Sequence, residues 1–300
     1  MCGQTAREGQ VIGATAVVGG LGRGSAGPVY LARHLERGSL HAVKLWRGGP
    51  DVRRRLGIWG QVYGAVHDPH LAGATDVVDE GERVALVMPF VAGLDLETFT
   101  AVSPPSLAQV DALANDLFVA LGHLHAEGLA HLDLHPGNVM VTPHGEGLRA
   151  VVLDAGLASV LGVGLRRRRG RARSAFEAPE VPAGLAGRTA ADVYSVGAVL
   201  HGLLAATAGG SDTLTSLPSS VPAGWATVVA AACSPDPQRR PPSIEALRAG
   251  WRAVKVRQQG PTWPAATVDF VRAASPVASA SSAQGAGTTS GRRFASRSAS

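Results

Sequence analysis

The stretch His131-Leu-Asp133-Leu-His135-Pro-Gly-Asn138 sets a carboxylate and a carboxamide five residues apart, with a second carboxylate, Asp154, sixteen residues further on. These residue types suit phosphoryl transfer. Asp133 can accept the proton of an attacking hydroxyl, and the oxygens of Asn138 and Asp154 suit a hard cation such as Mg²⁺. A second group could hold the phosphates. Gly22-Arg-Gly24-Ser-Ala-Gly27-Pro-Val29 repeats glycine where backbone N–H groups must approach anionic oxygens with no side chain between. Seventeen residues after Gly27, Ala42-Val43-Lys44 closes a strand-like run. The chain has 26 arginines and only two lysines, Lys44 and Lys255. Lysine at this place points to a compact point charge that the wider guanidinium does not supply.

Plainer readings exist for each. Lys44 could be a surface lysine on a strand. The glycines could open a dinucleotide-binding turn, but the residues after Gly27 (Val29-Tyr-Leu-Ala) are strand-like, whereas that turn leads into a helix. His123, His125, His131 and His135 could form a metal cluster. The first two lie two apart on a helical pattern and point to different sides, which opposes a shared ion.

These residues need elements to carry them. Short β-type runs broken by glycine are predicted over 14–18, 29–34, 40–45, 75–79 and 84–88, with a single helix over 51–66. From Ser106 the pattern turns helical. Ser106-Leu-Ala-Gln109 opens like a capping box, and Leu107, Val110, Leu113, Leu117, Leu121 and Leu124 follow at helical spacing. Two strands, 139–142 and 148–153, flank a turn, and helices follow over 190–206, 224–233 and 243–256. The segment from about residue 254 is rich in Ala, Ser, Gly and Thr and reads as a disordered basic tail. Truncation from about Gly260 is therefore expected to leave the fold intact.

Composition excludes several classes. With 45% apolar and only 5% aromatic residues, the core must be mostly Ala, Val and Leu. Cys2 and Cys233 are too few for a disulfide scaffold and lack metal-ligand spacing. Residues 1–250 carry 21 basic and 22 acidic side chains, and residues 251–300 carry 7 and 1, so the net +5 belongs to the tail. A nucleic-acid partner is not expected for the main domain. No apolar run reaches the length of a membrane span, and the first residues lack a signal-peptide stretch, so a cytoplasmic location is the expectation.

Three further landmarks complete the order: Ala178-Pro-Glu180, Asp192-Val-Tyr-Ser-Val-Gly197 and Asp236-Pro-Gln-Arg-Arg240-Pro241. Together with the motifs above, they make the chain resemble a eukaryotic-type (Hanks-type) serine/threonine protein kinase of the bacterial kind, over about residues 14–253. The resemblance implies an α+β, bilobal protein-kinase-like fold after a leader of residues 1–13. Its β-rich N-lobe would span about 14–91 and its mostly helical C-lobe about 92–253, with the disordered tail over 254–300. It implies Mg·ATP held between the lobes and a protein Ser/Thr hydroxyl as acceptor. The phosphates would meet Gly22, Gly24, Gly27 and Lys44, with Val29 and Ala42 beside the nucleotide. Met88 would be the gatekeeper of the hinge, Val91 would bond adenine through its backbone, and Asp95 is the candidate for ribose. Asp133 and Lys44 would be catalytic, and Asn138 and Asp154 would hold the metal. Glu180 and Arg240 would form a buried ion pair, and Asp192 would brace the catalytic loop.

The sequence also departs from that family. No glutamate lies between Glu36 and Glu80, so the N-lobe helix cannot supply the usual acid for Lys44. Gln61 stands roughly where that residue belongs, and Lys44 could be held by Asp154 instead. Leu132 replaces the arginine that normally receives an activation-loop phosphate, and His135 replaces a lysine near the transferred phosphate. Only Ser174 lies near the place of the bridging threonine. The run Leu165-Arg-Arg-Arg-Arg-Gly-Arg-Ala-Arg173 is a solvated loop or, like the tail, a clamp for an acidic or phosphorylated partner. Slow phosphotransfer is the expectation, with Ser159 and Ser174 as candidate autophosphorylation sites and Gln61→Glu as an accelerating change. The alternatives are a nucleotide-binding pseudokinase that serves as an interaction module and, given His135-Pro-Gly-Asn138, a small-molecule phosphotransferase.

Overall fold

The computed structural model describes residues 6–24, 27–157, 175–181, 188–208, 217–254 and 263–274. The β-branched, glycine-punctuated first ninety residues pair into one six-stranded sheet. Its strands are β1 (Val11–Ile12), β2 (Thr15–Gly24), β3 (Gly27–His34), β4 (Leu40–Arg47), β6 (Asp76–Asp79) and β7 (Arg83–Pro89). All neighbours are antiparallel, in the order β1-β2-β3-β4-β7-β6. Side-chain alternation decides which face meets what. On β7, Ala85 and Val87 join Ile12, Val17, Val43 and Leu45 in an outer cluster, while Val84, Leu86 and Met88 turn toward the main core. Helix α1 (Pro50–Gly64) lies on that second face with Leu56, Trp59 and Tyr63 buried.

The rest of the described chain is mainly helical. It contains α2 (Leu96–Val102), α3 (Leu107–Ala126), α4 (Arg188–Ala206), α5 (Ala223–Ala232) and α6 (Ile244–Ala253). A small second sheet, β5-β10-β9-β8, unites Leu71–Ala72, Gly147–Leu153, Val139–His144 and Leu94–Asp95. The capping box at α3 forms as expected, with Ser106 Oγ accepting from Gln109 N–H and the Gln109 side chain accepting from Ser106 N–H. Helix α4 is long and apolar enough to cross a membrane, but it is mostly buried inside the fold. It approaches α5 closely at Gly197, where a Cβ would lie 2.6 Å from that of Ala232. This β-rich lobe followed by a helical lobe is the architecture expected from the sequence.

The boundary drawn at residue 254 needs correction. A further helix, α7 (Ala265–Ala273), packs on β9 with Val268 and Val271 buried, and the Trp263 ring sits 6.4 Å from that of Phe99. Two valines three residues apart make a single apolar stripe, too short to stand out in an alanine-rich segment. Residues 275–300, where the tail expectation also applies, lie outside the described residues. A chain ending at Gln259 loses the burial of Val268 and Val271 and the contact of Trp263 with Phe99, and is expected to have a lower urea midpoint than the full chain. Urea titration of the full and shortened chains checks this, and equal midpoints would show that α7 adds nothing.

Candidate functional site

The catalytic-loop motif leaves α3 and is suspended from one buried carboxylate. Asp192, at the start of α4, accepts hydrogen bonds from the N–H groups of His131 (2.7 Å) and Leu132 (2.8 Å) and from His125 Nε2 (2.9 Å). Leu132 has φ 62°, a left-handed conformation that costs a β-carbon residue roughly 1–2 kcal/mol. The bond to Asp192 helps to hold it there. His131 is fully buried and has one tautomer open to it. Its Nε2 lies 2.9 Å from the Leu153 carbonyl, which only accepts, while its Nδ1 receives the Asp133 N–H at 3.2 Å. A proton on Nε2 and a lone pair on Nδ1 satisfy both contacts. Asn138 Nδ2 donates to the Asp133 carbonyl (2.9 Å), so the five-residue spacing closes the loop on itself.

Asp154 follows β10 with φ 61°, and its carboxylate pairs with the Lys44 ammonium from β4, each side chain being 14% exposed. The alternative partner expected for Lys44 is thus the one observed. Lys44 lies across from Val29 on β3, and Gly24 faces Gly27 where the β2–β3 ribbon turns back. Gly27 has φ 154°, and a Cβ there would run into the Leu45 carbonyl, so only glycine fits. Ala42 faces the buried Met88 across β4 and β7, and Val91 follows β7, half-buried. Asp95 caps α2, its oxygens accepting from Thr98 N–H (2.8 Å) and Thr98 Oγ1 (2.9 Å).

Two expectations change here. Gln61 is exposed, and the face that α1 turns inward carries Trp59 and Tyr63. Trp59 Nε1 donates to the Ala155 carbonyl (2.8 Å) and Tyr63 Oη to the Ala130 carbonyl (3.0 Å). Burial pushes the Tyr63 phenol above its ordinary value, so it remains a donor through the neutral range. Sequence reasoning missed both rings, although Leu56, Trp59 and Tyr63 recur at helical spacing. His135 is buried and its Nδ1 accepts from Gly137 N–H (3.1 Å), capping the short 3₁₀ turn Pro136–Asn138.

The histidines do not converge on an ion. His123 pairs with Asp68, His125 with Asp192, and His131 with Leu153, and no group of three metal-ligating side chains occurs among the described residues. Glu180 and Arg240 meet as expected, in a two-pronged buried ion pair at 2.6 and 2.9 Å. Ser159, Ser174 and the arginine run 165–173 lie outside the described residues.

The description "Protein kinase domain" is that of the family model matching residues 16–251. The chain is 30% identical over 264 residues to serine/threonine-protein kinase PkaA of Streptomyces coelicolor, covering 78% of this chain and 48% of the relative. It is 33% identical over 205 residues to PkaB of the same organism, covering 62% and 47%. The chain thus spans about half the length of these two relatives. The crystal structure of the Mycobacterium tuberculosis PknI kinase domain superposes with a TM-score of 0.66 at 23% identity, covering 83% of this chain and all of that one.

Proposed function

Because this chain belongs to the protein kinase domain family, we propose that it transfers the γ-phosphoryl group of Mg·ATP to a serine or threonine hydroxyl on a protein. The observation that carries the proposal is the meeting of Lys44 and Asp154, a cation from the sheet lobe and an anion from the helical lobe, beside a ribbon that only glycine can close. The residues fit the ligand. The carboxamide of Asn138 and the carboxylate of Asp154 offer the hard oxygen donors that Mg²⁺ takes, and Gly22, Gly24 and Gly27 leave backbone open to phosphate. When bound, the cation supplies neutralising charge on the phosphate oxygens. Lys44 steadies the phosphates, and Val29, Ala42, Val91 and Asp95 border the nucleotide. Asp133, held by the His131 ring and by Asn138, accepts the hydroxyl proton.

Activity is expected to be low, because Lys44 shares with the metal the one carboxylate it contacts among the described residues. The same observation favours a second reading, a nucleotide-binding pseudokinase that serves as an interaction module. Incubation with γ-labelled ATP and Mg²⁺, beside an Asp133→Asn control, separates the two. Label on the wild-type protein or an added protein substrate, well above the control, supports transfer. Label equal to the control across Mg²⁺ and Mn²⁺ concentrations supports the module. In either case ATP and Mg²⁺ together should raise the melting temperature in a concentration-dependent way. Equal stabilisation by ATP in EDTA would remove Asn138 and Asp154 from the metal site.

A further inference from the structure

Helix α1 brings no carboxylate to Lys44, yet it is firmly attached to the site. Trp59 donates to the carbonyl of Ala155, the residue after Asp154, and Tyr63 donates to the carbonyl of Ala130, the residue before His131. The two rings stack with centroids 5.8 Å apart and planes 20° from parallel, and both are buried. Gly156 has φ 69°, and a Cβ on it would run into the Tyr63 ring, so the small residues Ala155 and Gly156 make the room that the aromatic pair fills. Gly156 N–H in turn donates to the His131 carbonyl at 2.9 Å. The result is a closed circuit from α1 to the Asp154 turn, across to the catalytic loop and back to α1.

We infer that Trp59 and Tyr63 are positioning residues: they fix the Asp154 carboxylate by hydrogen-bonding and packing against Ala155–Gly156, and α1 thereby sets the affinity for Mg²⁺·nucleotide through uncharged contacts. A neutral N–H to carbonyl bond in a dry setting does not depend on ionic strength as an exposed charge pair does. It also acts on the metal-side residue and leaves Lys44 to Asp154. The inference rests on the proposal that this site binds Mg·ATP.

Trp59→Phe keeps an aromatic ring against Tyr63 while removing the indole donor and the volume of its second ring. ADP binding by calorimetry, with Mg²⁺ and separately with EDTA, reads the effect. Affinity for ADP with Mg²⁺ should fall roughly five- to tenfold, the value of one lost hydrogen bond, while affinity in EDTA stays within about twofold. In an Asp154→Asn background the same change should have no further effect on the Mg²⁺ dependence, because the carboxylate it positions is gone. Gln61→Glu, on the exposed face, should leave both affinities as they are. Tyr63→Leu, which takes the ring away from Gly156, carries the same expectation as Trp59→Phe and decides the matter if that variant fails to fold. Equal losses with and without Mg²⁺, no loss in folded protein, or additivity with Asp154→Asn would each overturn the inference. Wild-type protein that binds no ADP with Mg²⁺ would overturn the proposed function as well. Binding without phosphotransfer would leave this inference standing.

Discussion

Arg240→Ala is expected to lower the unfolding free energy by about 3–5 kcal/mol, the usual cost of removing one partner of a buried ion pair. The site explains why the figure belongs at that level. The Arg240 side chain is fully buried, and all five of its N–H donors have acceptors: both Glu180 oxygens and the carbonyls of Ser234, Ala190 and Pro235. Its guanidinium also lies 5.0 Å from the centre of the Tyr194 ring. Alanine leaves the Glu180 carboxylate without its counter-ion and three carbonyls without a donor. Lysine restores the charge but not the planar fork, so Arg240→Lys should recover only part of the loss. Against a typical total of about 5–15 kcal/mol, the alanine variant should show a far lower urea midpoint. A loss under about 1 kcal/mol would mean that the pair is dispensable.

The same pair should shape stability at acid pH. Burial works to raise the Glu180 pKa, but the hydrogen bonds from Arg240 and from its own backbone N–H, with the Arg240 charge, hold it below the ordinary value of 4.5. A carboxyl depressed on folding stabilises fully above its unfolded pKa, and that contribution is lost as pH falls through the depressed folded value. Glu180→Gln should therefore be less stable than wild type near neutrality and lose less on acidification. Parallel acid limbs for the two proteins would contradict the assignment.

How much of this was legible in the sequence varies with the distance over which residues cooperate. Asp133 and Asn138 belong to one contiguous loop, so their motif could be read from spacing, although the bond from the Asn138 side-chain amide to the Asp133 carbonyl was not foreseen. The strands of the first sheet follow from alternation between glycine-rich turns. Glu180 and Arg240 lie sixty residues apart, and only resemblance to a known family brought them together on paper. The phase of α1 was open to reading, because Leu56, Ile58, Trp59, Val62 and Tyr63 all fall on about half of the helix circumference and Gln61 on the other half, but the expectation for Gln61 came from resemblance to a known family. Packing makes the choice. A Cβ at Gly60 would run into Val77, and one at Gly64 would lie 2.8 Å from the Ala74 carbonyl, so these glycines mark the face pressed against the sheet lobe. That face turns Trp59 and Tyr63 inward and leaves Gln61 exposed. Helix α7 escaped notice for a different reason: its stabilisation comes from contacts with β9 and from Trp263, just before it, against Phe99 of α2, and its own sequence has little periodicity to reveal.

Lys44→Met should reduce phosphotransfer on the order of 10²–10³-fold, or below detection if the wild-type rate is already slow. The ammonium is the one described side-chain cation paired with Asp154, and methionine replaces it with an uncharged chain of similar length. Positioning and charge stabilisation make up nearly all of the catalysis in phosphoryl transfer, so no other described group takes over its part. The loss should fall on chemistry more than on folding. Asp154 is part-exposed, and its carboxylate without Lys44 can be met by water or by Mg²⁺. The Mg²⁺-dependent part of nucleotide binding should accordingly persist in Lys44→Met and vanish in Asp154→Asn, although both variants lose transfer. Lys44→Arg separates charge from shape: it keeps the cation but presents a wider head to Asp154 and the phosphates, so transfer should remain well below wild type. Labelled-ATP assays on the three variants, read beside their melting temperatures, make the comparison. Near-wild-type transfer by folded Lys44→Met would mean that the labelled product does not come from this site.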